Sequence, residues 1–287
     1  MIDKLVAILQ LTRLDLPVGS LLLMWPTITA LWIVSEGIPP YDLLLLFIVG
    51  TVLMRSAGCV INDIADRNFD AHVKRTFKRP LAEGRLSVWM ALIVFAVLAA
   101  LALLVVLQLN VKTQLLAIVG FGIAVLYPFM KRVTMLPQLV LGLAFSWGIP
   151  LASTAALDSW DFHPALYLLF VANFCWIVAY DTIYAMVDRD DDIKLNLGST
   201  AILAGSQVVT VVAVLMLMTT GLWLLMGIVL DLTLSFYIAL LIIIGLFGYQ
   251  WRELRTPDNR KGWFVAFKSN IWVGTALMIG TALGLAS

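Results

Sequence analysis

The sequence is short of charge and of the side chains that build disulfide frameworks or metal sites. Only 13% of its 287 residues are charged, whereas a soluble domain carries roughly a quarter. Cys59 and Cys175 lie in separate apolar segments with no C-x-x-C spacing, and His72 and His163 lack metal-ligand spacing. Reduced packing cysteines and surface histidines are therefore favoured. A net charge of +1 gives no reason to expect a nucleic acid or an acidic partner.

The sequence is rich in hydrophobic residues instead, which make up 62% of the chain. Apolar stretches of about 20 residues recur along it, each long enough to cross roughly 30 Å of hydrocarbon as a helix. Helices are expected because an isolated strand in lipid would leave its backbone unpaired. We predict an all-α, polytopic membrane protein with a short interfacial N-terminal helix and nine spanning segments, at 16–35, 41–61, 87–109, 113–130, 136–157, 164–187, 200–220, 232–251 and 263–286.

The length of one apolar stretch and the distribution of Lys and Arg bear on the topology. Residues 200 to 230 are too many for one crossing, and a break is expected near Thr219, Thr220 and Gly221. Short cytoplasmic loops are enriched in Lys and Arg. All of the 19 Lys and Arg residues except Lys112 and Arg55 fall at the N-terminus or near loops on one side. The N-terminus is therefore predicted to be cytoplasmic and the C-terminus, after nine crossings, outside.

The acidic residues indicate an internal repeat. Asp188 and Asp192 follow Asp66 and Asp70 by 122 residues, and the same offset carries Tyr127 onto Tyr249. An even number of crossings separates the copies, so both acidic clusters emerge on one side. We expect a single domain over residues 1–287, with parallel four-helix repeats at about 12–132 and 136–255 and a ninth helix at about 263–286, around a central cavity.

The two acidic clusters have the chemistry of a metal site. If the second segment continues as a helix past Ile61, residues four apart in NDIADRNFD share one face, as do those in DRDDD, with Asp181 two turns earlier. Like charges so close repel, so a cation is expected between them. Mg²⁺ is usually held by a few carboxylates together with substrate phosphates. A solvated acidic loop is the alternative for either cluster alone. The predicted metal ligands are Asn62, Asp66, Asp70, Asp188 and Asp192.

Basic residues near these clusters could bind the phosphates. A topology signal is the alternative explanation for each loop residue, but Arg55 lies inside a helix, where a charge is costly unless it faces a polar interior. Tyr127, Tyr184, Tyr180 and Trp176 could be interfacial belt residues or could stabilise an allylic cation through their ring faces. The features describe a site that ionises a diphosphate ester whose tail lies in the bilayer. The predicted diphosphate ligands are Arg67, Lys74, Arg79, Lys131 and Arg132.

The two acidic motifs resemble those of a known family. NDIADRNFD matches the N-D-x-x-D-x-x-x-D signature of the UbiA superfamily of intramembrane aromatic prenyltransferases, and DRDDD resembles its second aspartate motif. RLDLPVGSLLLMWPT, LMRSAGCVINDIADRNFDAHVKRTFKRPLAEG, LYPFMKRVTMLPQLVLG and AYDTIYAMVDRDDDIKLNLGSTAIL are similar, in this order, to the bacterial branch that prenylates 4-hydroxybenzoate in ubiquinone biosynthesis.

The resemblance implies the fold, the reaction and several residue roles. It implies nine helices around a cavity, Mg²⁺ dependence, a polyprenyl diphosphate donor, 4-hydroxybenzoate as acceptor and location in the bacterial cytoplasmic membrane, with the active site on the cytoplasmic side. Asn62 and the four aspartates would hold metal and diphosphate, Arg67, Lys131 and Arg132 would bind diphosphate, and Arg13 is a candidate for the acceptor. The leaving diphosphate would take the ring proton, with Asp191 as the second choice.

Three alternatives remain open from the sequence. The acceptor could be a naphthoate, homogentisate, haem or chlorophyllide. Intramembrane charge and repeats are also typical of transporters, although a transport site is expected near the midplane rather than at helix ends. The third alternative is a membrane scaffold without catalysis. The sequence does not determine protein partners.

Overall fold

The chain is helical wherever its structure can be described. The computed structural model describes residues 2–71 and 76–286, and within those two ranges it contains α-helices and two short 3₁₀ helices but no strand. The α-helices are α1 Ile2–Leu11, α2 Val18–Val34, α3 Tyr41–Asp70, α4 Val88–Val106, α5 Val111–Leu126, α6 Pro137–Ser146, α7 Gly148–Leu157, α8 Pro164–Lys194, α9 Thr200–Ala204, α10 Val208–Val229, α11 Leu234–Leu254 and α12 Arg260–Leu285.

Many of these helices could cross a bilayer. Within the described ranges, seven helical segments are long and apolar enough to do so, among them α3, α4, α8 and α11. The apolar helix α2 is shorter, at 17 residues. The helix α12 coincides with the last predicted segment to within three residues at each end. The all-α prediction is confirmed, and the count of nine crossings stays a prediction. The predicted N-terminal helix is present as α1.

Two long helices carry the acidic clusters. The second predicted segment does continue past Ile61, because α3 runs without interruption to Asp70. The helix α8 likewise extends to Lys194 and so contains the whole of DRDDD. The bounds of α3 and α8, and those of α4 and α10, agree with the 122-residue offset to within two residues at each end. Both acidic clusters are therefore helical extensions rather than loops.

The expected break near Thr219 and Gly221 is wrong. The helix α10 runs uninterrupted from Val208 to Val229. The Thr219 and Thr220 hydroxyls each donate to the carbonyl four residues earlier at 2.8 Å, so both are satisfied inside the helix. The chain bends instead at Gly205, whose φ of +55° lies in the region that favours glycine.

The packed core surrounds α8, and a cavity lies beside it. Trp176 on α8 is fully buried, and its ring meets Tyr180 and Trp223 edge-on at centroid distances of 5.4 and 5.6 Å. The indole nitrogen of Trp176 donates to Asn270 on α12 at 2.7 Å. Trp176 and Tyr180 are therefore core residues rather than interfacial belt residues. The apolar helices α4 and α5 bury few of their side chains. Both helices line the cavity.

Candidate active site

A large apolar cavity occupies the space between the helices. Its volume is about 1300 Å³, and we call it the central cavity. Apolar side chains of α2 to α7 form most of its wall, and α8 and α12 contribute Tyr180, Tyr184, Phe264 and Phe267. Such a space suits a hydrocarbon or aromatic ligand better than a hydrated ion. Charged residues also line it, among them Arg13, Arg55, Asp63, Arg79 and Asp181.

A small polar pocket of about 140 Å³ adjoins the central cavity. The structure brings all five residues predicted to hold metal into its lining, because the extended ends of α3 and α8 converge there. Lys131 and Arg79 line the same pocket. Five residues line both the polar pocket and the central cavity, and we call this set the junction. The junction consists of Asn62, Arg79, Tyr127, Asp181 and Tyr184.

Cations already neutralise the aspartates at the end of α3. The Asp66 carboxylate accepts from Lys131 Nζ at 2.5 Å and from Arg132 Nη2 at 3.2 Å. Arg132 has further contacts, since it donates to the Ala65 carbonyl and its guanidinium lies 4.9 Å from the Phe69 ring centroid. Lys131 is thus the less anchored of the two cations.

Local backbone geometry explains how Lys131 reaches Asp66. Residues Tyr127–Arg132 form a 3₁₀ helix that continues α5. The Gly198 amide donates to the Lys131 carbonyl at 2.7 Å, which joins this segment to the loop after α8. A Cβ at position 198 would collide with the Thr134 carbonyl oxygen. Glycine is therefore required for the close approach that forms one wall of the polar pocket.

A second set of ion pairs lies beside the first. Arg79 Nη1 is 2.8 Å from Asp70 Oδ2 and 3.1 Å from Asp63 Oδ1. Arg13 Nη2 contacts both Asp63 oxygens, at 3.0 and 2.9 Å. The Asp63 and Asp70 carboxylates are nearly inaccessible, whereas each arginine keeps about a fifth of its side chain exposed. Asp63 therefore connects the polar pocket to the N-terminal segment.

Arg55 is a different kind of cation. It lines the central cavity, and no ion pair to an Asp or Glu is recorded for it in the described ranges. Its Nη1 lies 2.7 Å from Cys59 Sγ and its guanidinium is 5.8 Å from the Phe145 ring centroid, while its buried Nε has no hydrogen-bond partner. The guanidinium lies against Gly19, where a Cβ would collide with it. Arg55 is thus a cation in the cavity wall that pairs with no Asp or Glu side chain of the described ranges.

Aromatic rings surround the junction. The Tyr184 and Phe267 ring centroids are 4.7 Å apart, and Tyr180 and Phe264 lie within 6.3 Å of this pair. All four line the central cavity. The sequence pointed to the two tyrosines, but the phenylalanines of α12 were missed because they lie more than 75 residues away. Ring faces of this kind can stabilise a cation.

Three predicted site residues that the structure describes line neither cavity: Arg67, Asp191 and Arg132, of which Arg132 still contacts Asp66. Arg67 is exposed and its Nη1 reaches only the Ile64 carbonyl, at 3.4 Å. Asp191 lies outside both cavities, with Lys194 Nζ 3.7 Å from its Oδ1. Lys74 lies outside the described residues.

The polar pocket fits a divalent cation by the chemistry of its donors. Two amides and five carboxylates line it, namely the five predicted ligands together with Gln138 and Asp181, and oxygen ligands of this kind suit a hard ion such as Mg²⁺. In the part of the chain that the structure describes, no group of three or more His, Cys, Asp or Glu side chains is gathered closely enough to hold a metal. Basic residues contact three of the α3 aspartates instead. A metal would therefore have to displace these cations.

Comparisons with known proteins agree with this architecture. The model of the UbiA prenyltransferase family matches residues 23–272. A 4-hydroxybenzoate octaprenyltransferase of Tolumonas auensis is 50% identical over 274 residues, which cover 96% of this chain and 95% of that protein. The apo structure of a UbiA homolog from Aeropyrum pernix K1 has a TM-score of 0.79 at 22% identity, covering 90% of this chain and 97% of that one. A UbiA homolog from Archaeoglobus fulgidus bound to GPP and Mg²⁺ has a TM-score of 0.67 at 17% identity, covering 95% and 99%.

Proposed function

Because this chain belongs to the UbiA prenyltransferase family, we propose that it transfers a polyprenyl group from polyprenyl diphosphate to 4-hydroxybenzoate. The new bond forms at the ring carbon beside the hydroxyl, and diphosphate is released, as a step of ubiquinone biosynthesis. The observation that carries this proposal is the junction, where a pocket of aspartates and cations opens into a large apolar cavity. The relative at 50% identity supports 4-hydroxybenzoate as the acceptor.

The donor lies across the junction in this proposal. Its diphosphate occupies the polar pocket, where Arg79 and Lys131 supply positive charge and hydrogen-bond donors, and Arg132 adds positive charge beside Asp66. Its hydrocarbon tail extends into the central cavity, whose wall is mainly apolar. The bond that breaks therefore lies near Tyr127 and Tyr184, where polar and apolar linings meet.

Five of the side chains that line the polar pocket would hold Mg²⁺ through their oxygen atoms. These are the side chains of Asn62, Asp66, Asp70, Asp188 and Asp192. When bound, Mg²⁺ supplies Lewis-acid stabilisation of the departing diphosphate. The UbiA homolog bound to GPP and Mg²⁺ supports this choice of ion.

The acceptor's carboxylate is best matched by Arg55. Its guanidinium lines the central cavity and pairs with no Asp or Glu side chain of the described ranges, so an incoming carboxylate need not displace one. Arg13, the other candidate, already contacts both oxygens of Asp63. Buried, charge-assisted hydrogen bonds of this type also fix orientation. We assign the acceptor to Arg55 and leave Arg13 to the edge of the cavity.

The chain's residues have clear tasks in the reaction. The carbon–oxygen bond of the donor breaks, its electron pair leaves with the diphosphate, and the cations of the polar pocket stabilise that negative charge. The rings of Tyr184 and Phe267 face the resulting allylic cation. The ring carbon of the acceptor attacks, and its proton passes to a diphosphate oxygen, since Asp191 lies outside both cavities. The apolar wall excludes water that would otherwise capture the cation.

The same proposal covers the arrangement in the membrane. The chain would cross the bacterial cytoplasmic membrane nine times, as two parallel four-helix repeats and a ninth helix. The N-terminus and the junction would lie on the cytoplasmic side. The one-sided distribution of Lys and Arg and the agreement of helix bounds with the 122-residue offset support this arrangement.

Purified protein tests the proposal directly. Protein in detergent with Mg²⁺ and a labelled polyprenyl diphosphate should prenylate 4-hydroxybenzoate and release diphosphate, with little product from dihydroxynaphthoate or homogentisate. Asp66→Asn should abolish product formation while the protein still accumulates in membranes. Prenylation of dihydroxynaphthoate alone would contradict the acceptor, and donor binding without diphosphate release with any acceptor would favour a transporter.

A further inference from the structure

Asp63 is a buried carboxylate for which the proposed reaction has no task. Its residue is 1% exposed, and it does not line the polar pocket where the metal would bind. A lone buried carboxylate would be costly, yet Asp63 has more than enough partners. Arg13 contacts both of its oxygens and Arg79 contacts one at 3.1 Å.

The two arginines come from separate segments of the chain. Arg13 lies in the turn between α1 and α2, with a φ of +57°, and also donates to the Gln10 carbonyl. Arg79 lies in the segment between α3 and α4. Neither position lies in a regular helix, and turn hydrogen bonds such as that from the Arg79 amide to the Thr76 carbonyl, at 2.8 Å, hold the backbone but not the guanidinium. Asp63 joins both to the rigid helix α3.

The charge of the cluster depends on Asp70. With Asp70 included, two guanidinium groups face two carboxylates and the charges balance. Without Asp70, the Asp63 carboxylate lies between two guanidinium groups and one positive charge is left over, and these three side chains line the central cavity. Arg79 uses the same nitrogen to contact Asp70, 2.8 Å away in the polar pocket. If Asp70 turns to a metal, Arg79 loses that partner but retains Asp63. Its guanidinium is then held at the junction, where its positive charge can attract an anion.

We propose that Asp63 is a positioning residue that holds the Arg79 guanidinium at the junction for the donor's diphosphate, with Arg13 as its second tether. This inference rests on the proposed function. Asp63 itself contacts neither substrate in this arrangement. It acts through Arg79, and without it Arg79 would follow Asp70 or swing to solvent.

Binding of inorganic pyrophosphate to the purified protein tests this role without catalysis. In calorimetric titrations, Asp63→Asn should bind pyrophosphate about tenfold more weakly than the wild type. In the transfer assay the same variant should raise the KM for the donor more than it lowers kcat. Asp158→Asn is the matched control, because Asp158 pairs with Lys112 on the far side of the molecule and its left-handed backbone tolerates asparagine. The control should bind like the wild type.

A double variant separates positioning from a general structural role. Because Asp63 acts through Arg79, Asp63→Asn combined with Arg79→Gln should lose no more pyrophosphate affinity than Arg79→Gln alone. Additive losses, or wild-type affinity in Asp63→Asn, would overturn the inference. Should Asp63→Asn not accumulate, Arg13→Gln compared with Arg13→Gln/Asp63→Asn gives the same comparison with one less unpaired charge. If the wild type bound pyrophosphate but prenylated no acceptor, the proposed function would fail while this test still stood.

Discussion

Replacing Lys131 by methionine should strengthen the binding of a free divalent ion, although it removes a residue of the active site. In the structure, Lys131 Nζ lies 2.5 Å from Asp66 Oδ2 and so competes with any metal for that carboxylate. Arg132 is anchored by other groups and contacts Asp66 at 3.2 Å. Methionine keeps the length of the side chain but cannot compete. The metal would then find Asp66 partly free.

The size of the effect follows from the contact that is lost. A hydrogen bond to a charged group contributes about 1.5–3 kcal/mol. Lys131 keeps 26% of its side chain exposed, so the lower value applies, because water screens part of the attraction. About 1.4 kcal/mol corresponds to a tenfold change in affinity. We expect Lys131→Met to bind the metal about tenfold more tightly when no diphosphate is present.

The same substitution should weaken the diphosphate. Lys131 is one of the cations that the proposed donor contacts in the polar pocket, so pyrophosphate affinity should fall by about tenfold. In the wild type, each ligand frees the partner that the other needs, and metal and pyrophosphate should therefore bind synergistically. By linkage, the coupling is the same whichever ligand binds first. Lys131→Met should lose most of it.

Manganese titrations can measure all three quantities. Mn²⁺ replaces Mg²⁺, and electron paramagnetic resonance counts the free ion in the presence and absence of pyrophosphate. Lys112→Met is the control, because Lys112 pairs with Asp158 far from the polar pocket. Metal affinity in Lys131→Met that is equal to or weaker than that of the wild type would refute the competition between Lys131 and the ion.

Two further outcomes follow from neighbouring residues with different surroundings. Asp192→Asn should reduce the rate of prenyl transfer at least about 100-fold, because Asp192 lines the polar pocket. Asp191→Asn should keep that rate within about twofold of the wild type, because Asp191 lies outside the pocket. Equal losses in steady-state assays would contradict the assignment. Gly19→Ala should raise the KM for 4-hydroxybenzoate several-fold by displacing the Arg55 guanidinium, with no loss of thermal stability. The control Gly245→Ala, whose new methyl group would point into open space, should change neither the KM nor the thermal stability. An unchanged KM in Gly19→Ala would argue against Arg55 as the carboxylate ligand.

The acidic side of the site could be predicted because its geometry is local. Residues four apart on a helix share a face whatever surrounds them, so the spacing of Asp66 and Asp70 already contained their alignment. The offset to Asp188 and Asp192 needed only that both helices extend beyond the membrane segment. That condition was met when α3 and α8 continued to Asp70 and Lys194.

The residues that were misjudged depend on rotation about a helix and on distant packing. Arg67 follows Asp66 directly, but one residue turns an α-helix by about 100°, so its side chain points away from the pocket. Asp191 and Asp192 differ in the same way, and only the position of neighbouring helices decides which one faces inward. Phe267 adjoins Tyr184 because α12 packs against α8, and nothing in the local sequence of either helix indicates that contact.

The distribution of charge along the central cavity bears on the choice between enzyme and transporter. Its charged lining comes from the segments around Arg13, Arg79 and Asp181, and from Arg55, which lies about two turns before Asn62 on α3. The lining at the other end includes the uncharged Thr113. A transport path needs a site that can be reached alternately from both sides, near the midplane. A diphosphate that enters this cavity meets its charge partners at one end and an apolar wall beyond them. That asymmetry holds the polar end of a substrate in place while its tail reacts or rests in the apolar space, as a membrane transferase requires.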